Sequence, residues 1–272
     1  MSSFSVNNNS AASGILANLS FVQNEINTSY SQLSSGNRIN SAANDPAGYA
    51  IAQQMTEQVN GLNQATQNAQ QGVSLIQTAT GGMNQVANIL QTLNTLANEA
   101  ANSTQSSNSQ TNLQTEVTQL LAQISSTATN TQYNTTNLLD GTANITLQVG
   151  TAASQTLNFA ITSVSTGALN ITGISVSSVT LAQAAITSIQ SAITTLSTDQ
   201  AKLGSYQDQL NYTISNLQNS ALNLQNAEST ITNTNMAQAY TQFSQQQVVQ
   251  QVGLAMLGQA QQQPAAILKL LG

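Results

Sequence analysis

"GLNQATQNAQQGVSLIQTATGGMNQVANILQTLNTLANEAANST", residues 61–104, has a small or apolar residue at every third or fourth position. The series is Leu62, Ala65, Ala69, Gly72, Ile76, Ala79, Met83, Val86, Leu90, Leu93, Ala97 and Ala100. Unbroken alternation of three and four is the heptad pattern of a coiled-coil seam. Ile51 and Met55 start the run upstream, so the spacing predicts one helix from Pro46 to about Ala101, roughly 80 Å long at 1.5 Å per residue. Small seam residues let helix axes approach closely. Glycines at 61, 72, 81 and 82 weaken such a helix, at about 1 kcal/mol each relative to alanine.

The same period recurs on both sides. Ile15, Leu19, Val22, Ile26 and Leu33 mark a helix near the start. Leu113, Val117, Leu120 and Ile124 mark another after the polar loop NSTQSSNSQ (residues 102–110). Leu181, Ile189, Leu196, Leu203, Tyr206, Leu210, Leu217, Leu224 and Ile231 mark a long one toward the end. One stripe alone reads as ordinary core, whereas four imply long helices packed on each other.

Between residues 140 and 180 the period changes to two. Ile145, Leu147 and Val149 alternate with polar residues, as do Leu157, Phe159 and Ile161, across a loop of small residues from Gly150 to Gln155. That pattern predicts a β-hairpin with one buried face. ITGISV, residues 171–176, is a possible third strand. No charge falls from Gly141 to Thr198, and the dense Ser/Thr content leaves this region open to O-glycosylation. The expected fold is therefore mainly α: long antiparallel helices forming a coiled-coil rod, with one small β-hairpin region at about 140–180.

Only antiparallel helices bring residues 1–42 and 235–272 together. The C-terminal stretch QFSQQQVVQQVGLAMLGQAQQQPAAILKLLG is apolar over a broad arc, through Phe243, Val248, Val249, Val252, Leu254, Met256 and Leu257. A broad arc implies burial on several sides. One partner helix from the same chain cannot cover it; other copies could.

Composition excludes several functions. Ser, Thr, Asn and Gln supply 135 of 272 residues, only 4% are charged, and the net charge is -6. No basic patch exists to pair with phosphates, so nucleic acid is not an expected partner. No basic amphipathic helix suggests a membrane surface, and no apolar window is long enough to span one. The start, MSSFSVNNNSAAS, lacks the cationic and apolar parts of a secretory signal peptide. With neither Cys nor His, there can be no Ser–His–Asp triad, cysteine nucleophile or His/Cys zinc site. The nine acids (Glu25, Asp45, Glu57, Glu99, Glu116, Asp140, Asp199, Asp208 and Glu228) are too scattered for a carboxylate pair, and no glycine-rich phosphate loop occurs. No cofactor is expected.

Rare residues gather in QLSSGNRINSAANDPAGYAIAQQM, residues 32–55. It holds Arg38, one of only 3 basic residues, and Pro46, one of 2 prolines. Gly36 stands where a left-handed C-terminal cap is usual. Asp45 can cap the next helix, with Pro46 at its first position. The stretch reads as an elbow, with Arg38 either a solvated charge or a pin on carbonyls or Asp45. The pin is favoured, because a chain so poor in charge hardly needs Arg38 for solubility.

LSSGNRINSAANDPAGYAIAQQM, the 61–104 run and the ending MLGQAQQQPAAILKLLG closely resemble bacterial flagellin, over nearly the whole chain. The resemblance implies a structural filament subunit for motility, exported by the flagellar type III apparatus to the cell exterior. It also implies the alternative of a hook–filament junction protein; a secreted enzyme or effector on a helical stalk is the reading from another class. Residues 1–42 and 235–272 would form the inner filament tube, with Leu16, Leu19, Val22, Ile26, Leu33, Phe243, Val252, Leu254, Met256 and Leu257 in the polymer core. Residues 43–234 would form the surrounding rod, without the outer variable domains of larger flagellins. The elbow Gly36–Arg38–Asp45–Pro46 matches the segment called the spoke. Implied partners are other copies of the chain, an export chaperone, the filament cap and hook-junction proteins. The segment resembling the innate-receptor and axial-contact region includes Gln91, Leu96 and Glu116, but Thr92 stands where the family has its key arginine.

Overall fold

The computed structural model describes residues 9–271, with side chains described through Gln262. The expected inner-tube segments therefore lie outside the described residues at 1–8 and 272, and in their side chains from Gln263 onward. Among the described residues five helices carry most of the chain: α1 (Ser10–Ser35), α2 (Pro46–Ala100), α3 (Ser107–Asn130), α4 (Val179–Thr232) and α5 (Met236–Leu271). Four short strands lie between α3 and α4: β1 (Gln132–Tyr133), β2 (Thr136–Asn137), β3 (Asn144–Gln148) and β4 (Thr156–Ala160). The chain divides into two compact units, a terminal one (Met1–Glu57 with Asn223–Gly272) and a central one (Gln58–Leu222).

In the central unit the heptad stripes become core. Ala69, Ile76, Ala79, Val86, Leu90, Leu93, Ala97 and Ala100 of α2 have no exposed surface. Val117 and Ile124 of α3 and Ile189, Leu196, Leu203 and Leu210 of α4 join the same cluster. Two expected positions are corrected. Ile51 and Leu181 are 46% exposed, and Ala52 and Ala182 take the buried places beside them. Alanine, with the smallest side chain able to fill the stripe, occupies the inward position at the start of both long helices.

Few charges decorate these helices, so hydroxyls satisfy themselves. Thr187, Thr194 and Thr198 donate to the carbonyls of Gln183, Gln190 and Thr194, four residues back. Such back-bonding slightly weakens a helix, and burial of the stripe offsets it. Helix α3 starts inside the expected loop, because the Ser106 side chain caps it by accepting from the Ser109 amide at 3.2 Å.

The expected hairpin is β3–β4, antiparallel with Ile145 opposite Phe159 and Leu147 opposite Leu157. Its connection closes on itself, with the Gln155 side chain accepting from the Ala152 amide and the Val149 amide donating to the Gln155 carbonyl. Phe159 stacks on Tyr206 of α4, ring centres 5.2 Å apart. Three α2 glycines make room for this region. A Cβ at Gly72 would overlap Leu147, one at Gly61 would lie 2.7 Å from Thr151, and one at Gly82 would lie 2.7 Å from Leu139 and Thr131. The glycines that weaken α2 are sockets for the chain that docks on it.

Two details differ from the sequence reading. A second hairpin, β1–β2, turns through Asn134 and Thr135, both with positive φ (46° and 68°). ITGISV forms no strand, although Ile171 and Val176 are buried. Gln114 of α3 supplies its hydrogen bonds instead, accepting from the Val176 amide at 2.6 Å and donating to the Ile174 carbonyl at 3.4 Å.

Candidate functional site

Helices α1 and α5 of the terminal unit meet through a mixed seam. Ile26 and Ala260 are buried, and Leu19 packs where Gly253 leaves space. Amides and hydroxyls do the rest: Ser29 donates to Gln246 at 2.9 Å, and Gln246 donates to Glu25 at 3.4 Å. Asn9 caps α1 by accepting from the Ala12 amide, and donates to the Ala260 carbonyl at 2.8 Å.

Beyond that seam both helices leave large apolar side chains without a partner among the described residues. Leu16, Phe21, Val248, Val249, Val252, Leu254 and Met256 are all more than half exposed. Of the ten residues expected in a polymer core, Ile26 is buried, Leu19, Val22, Leu33, Phe243 and Leu257 are half-buried, and Leu16, Val252, Leu254 and Met256 are open. Ile15, Leu19, Val22, Val249, Val252 and Met256 line an apolar groove of about 250 Å³. Fully burying a side chain of this kind contributes about 1.5–3 kcal/mol, so the face carries a large unused driving force.

The elbow is tied to the junction of α4 and α5. Gly36 ends α1 in the left-handed conformation (φ 74°), its N–H donating to the Gln32 carbonyl at 2.9 Å. The Arg38 amide then donates to the Thr232 carbonyl at 2.6 Å, and the Thr234 amide to the Gly36 carbonyl at 2.9 Å. These bonds flank a two-residue antiparallel bridge, Asn37 with Asn233. The Arg38 guanidinium donates to the Ile231 carbonyl at 2.7 Å. Asp45 accepts from the Gly48 amide at 2.9 Å, starting α2 at Pro46.

The sequence reading did not single out Ile39 or Thr56, and gave Gly48 and Glu228 no role at the elbow. Ile39 is buried, and a Cβ at Gly48 would overlap both Ile39 and Asp45. Thr56 of α2 donates to Glu228 of α4 at 2.8 Å, a second tie beside this clasp. An isoleucine between polar residues, two after Asn37, was the available signal for the first.

Gln91 and Thr92 are exposed on α2 and Glu116 is exposed on α3, while Leu96 is only 9% exposed and belongs to the core. The Thr92 hydroxyl is spent on the Asn88 carbonyl at 3.1 Å.

Chemically reactive groupings are scarce. Among the described residues no group of acids could hold a metal, and no helix is long and apolar enough to cross a membrane. Asp140 is held below the usual 3.8 chiefly by the Thr142 hydroxyl at 2.7 Å, then by the Thr142 amide at 2.8 Å. What the described residues of the terminal unit offer a partner is apolar surface.

Comparison with known proteins matches this geometry. A family model for the bacterial flagellin N-terminal helical region matches residues 6–144, and one for the C-terminal helical region matches 186–271. A flagellin of Halalkalibacterium halodurans is 38% identical over 98% of this chain and 99% of its own. A flagellin of Clostridium tyrobutyricum is 39% identical over 58% of this chain, which spans only 45% of that relative. Among solved structures, Bacillus cereus flagellin aligns with TM-score 0.50 and 27% identity, over 56% of this chain and 88% of its own. A putative flagellar hook-associated protein from Vibrio parahaemolyticus aligns with TM-score 0.59 over 70% of this chain and 99% of its own, at 12% identity, a likeness of fold alone.

Proposed function

Because the chain belongs to the bacterial flagellin family, structural proteins of the flagellar filament and not enzymes, we propose that its terminal unit docks onto copies of itself to build that filament. The observation that carries this is the open apolar face of α1 and α5, with Leu16, Phe21, Val252, Leu254 and Met256 each more than half exposed. A face that meets a different face of the next copy repeats without closing, and so makes a helical polymer. Residues 1–42 with 235–272 form the inner tube in this reading, and 43–234 the layer around it. Electron microscopy of the purified chain tests it: long filaments are expected, and closed rings or monomers at high concentration would refute it.

By the family resemblance, the subunit leaves through the flagellar type III apparatus with a chaperone, and meets the cap and hook-junction proteins at the filament ends. Residues 243–257 become stably helical only on assembly, since burial rather than propensity holds such a helix. Strong hydrogen-exchange protection there in the free subunit would overturn that. The innate receptor for flagellin responds weakly to this chain, because Thr92 offers no charge-assisted contact, a loss of about 1.5–3 kcal/mol. Receptor-reporter cells check it: Thr92→Arg should raise potency, and no gain would refute the assignment.

A further inference from the structure

Helix α4 carries one charged side chain inside an otherwise apolar stripe. Ala182, Ala185, Ile189, Ala192, Leu196, Leu203 and Leu210 are each at most 3% exposed. At the position between Leu196 and Leu203 stands Asp199, itself 5% exposed. Its carboxylate meets Lys202 Nζ at 3.0 Å, while the Lys202 side chain remains 60% exposed. The neighbouring Gln200 reaches across to α2 and donates to Asn84 Oδ1 at 3.0 Å, close to the Gly81–Gly82 pair inside that helix.

An ion pair buried in a seam is weak evidence for stability, since apolar replacements often hold as well or better. What a lone polar seam residue does best is choose register. This seam needs such a choice. Leu196, Leu203, Leu210 and Leu217 of α4 stand seven apart, as do Ala185 and Ala192. Sliding α4 by a heptad exchanges like for like at those positions.

We infer that Asp199, with Lys202 as its cation, is a register key that fixes α4 against α2 in the central unit, with Gln200–Asn84 beside it. Lys202 lies on the same helix and travels with Asp199, so the pair itself does not discriminate. The surroundings do. A one-heptad slide separates Gln200 from Asn84 and carries the carboxylate along the seam whose α2 side is the buried stripe Ile76, Ala79, Met83, Val86 and Leu90.

The chain has no cysteine, so introduced thiols report without background. Asn84→Cys with Gln200→Cys reads the native register; Asn84→Cys with Gln207→Cys or Ile193→Cys reads a slide of one heptad either way. The same pairs with Asp199 intact set the baseline. In Asp199→Leu the slid cross-links should rise about tenfold over that baseline, with helical circular dichroism unchanged. Cross-linking confined to the native pair in Asp199→Leu would overturn the inference. So would loss of helix in Asp199→Leu while Asp199→Asn stays folded, because Asp199 would then serve stability rather than register.

Discussion

The central and terminal units are made of the same residue types arranged to opposite ends. The central unit gathers a continuous core, from Ala69 to Leu210, and leaves only Leu181, Tyr212 and Leu222 as exposed large hydrophobics. Among its described residues, the only hydrophobics the terminal unit buries are Ile26, Ile39, Ala52, Ala239 and Ala260, and it exposes twelve large ones. A unit that has consumed its apolar surface is finished as a fold. One that has not is a fragment of a larger core, completed by molecules of the same kind.

The sharpest way to break this contrast is Leu254→Asp. A lone charge placed among packed helices without a partner costs several kcal/mol, so polymerisation should be lost while the central unit keeps its helices. Sedimentation showing normal polymer would refute the proposed place of α5 in the inner tube. The matched truncations Leu90→Ala and Leu254→Ala come next. Leu90 is fully buried, so its loss should lower central-unit stability by about 2–5 kcal/mol in a denaturant titration. Leu254 is 57% exposed, so the free subunit should barely respond, and only the polymer should weaken. Equal effects on the free subunit would end the distinction between the units.

Arg38→Ala probes the clasp. Removing an exposed charge-assisted hydrogen bond to the Ile231 carbonyl should cost about 1 kcal/mol, seen as a raised critical concentration with the central unit's melting unchanged. An unchanged critical concentration would return Arg38 to the role of a solvated charge.

The smallest expected effect is that of pH and salt. The chain has 3 basic and 9 acidic residues, and among the described residues one ion pair, Lys202–Asp199. Salt can screen only what exists. Asp140 has a folded pKa depressed below 3.8, so its contribution is present above that value and lost as pH falls through the lower folded one. Between pH 7 and about 5 it stays ionised in both states and changes nothing. Light scattering of filaments should therefore be flat across that window at low and high salt. Depolymerisation within that window would show that a few carboxylates hold the polymer after all.

Much of this was legible beforehand because heptads over many turns have few alternative readings. The expected helix from Pro46 to about Ala101 is α2, and the alternation around Ile145–Val149 and Leu157–Ile161 is the β3–β4 pair. Local pattern was silent elsewhere. Hairpin β1–β2 has two-residue strands and a turn of Asn134 and Thr135 without glycine, too short for any period to show. ITGISV has a strand's composition, but a side chain sixty residues away, Gln114, took its backbone bonds. At the elbow, caps follow from residue type next to one another in sequence. The acceptor of Arg38 at Ile231 does not, since nothing local names a carbonyl across the fold.

The self-closed connection of β3–β4 bears on how this chain can grow. Residues 151–154 are exposed, and the hydrogen bonds of Gln155 and Val149 shut the strands behind them. Closing a longer loop there costs only about 0.6 kcal/mol per doubling of its length. The segment between the two family matches, residues 145–185, includes this tip. Length added at this one site would ride on the hairpin as freight on a carrier, while every heptad that sets the helices stays untouched.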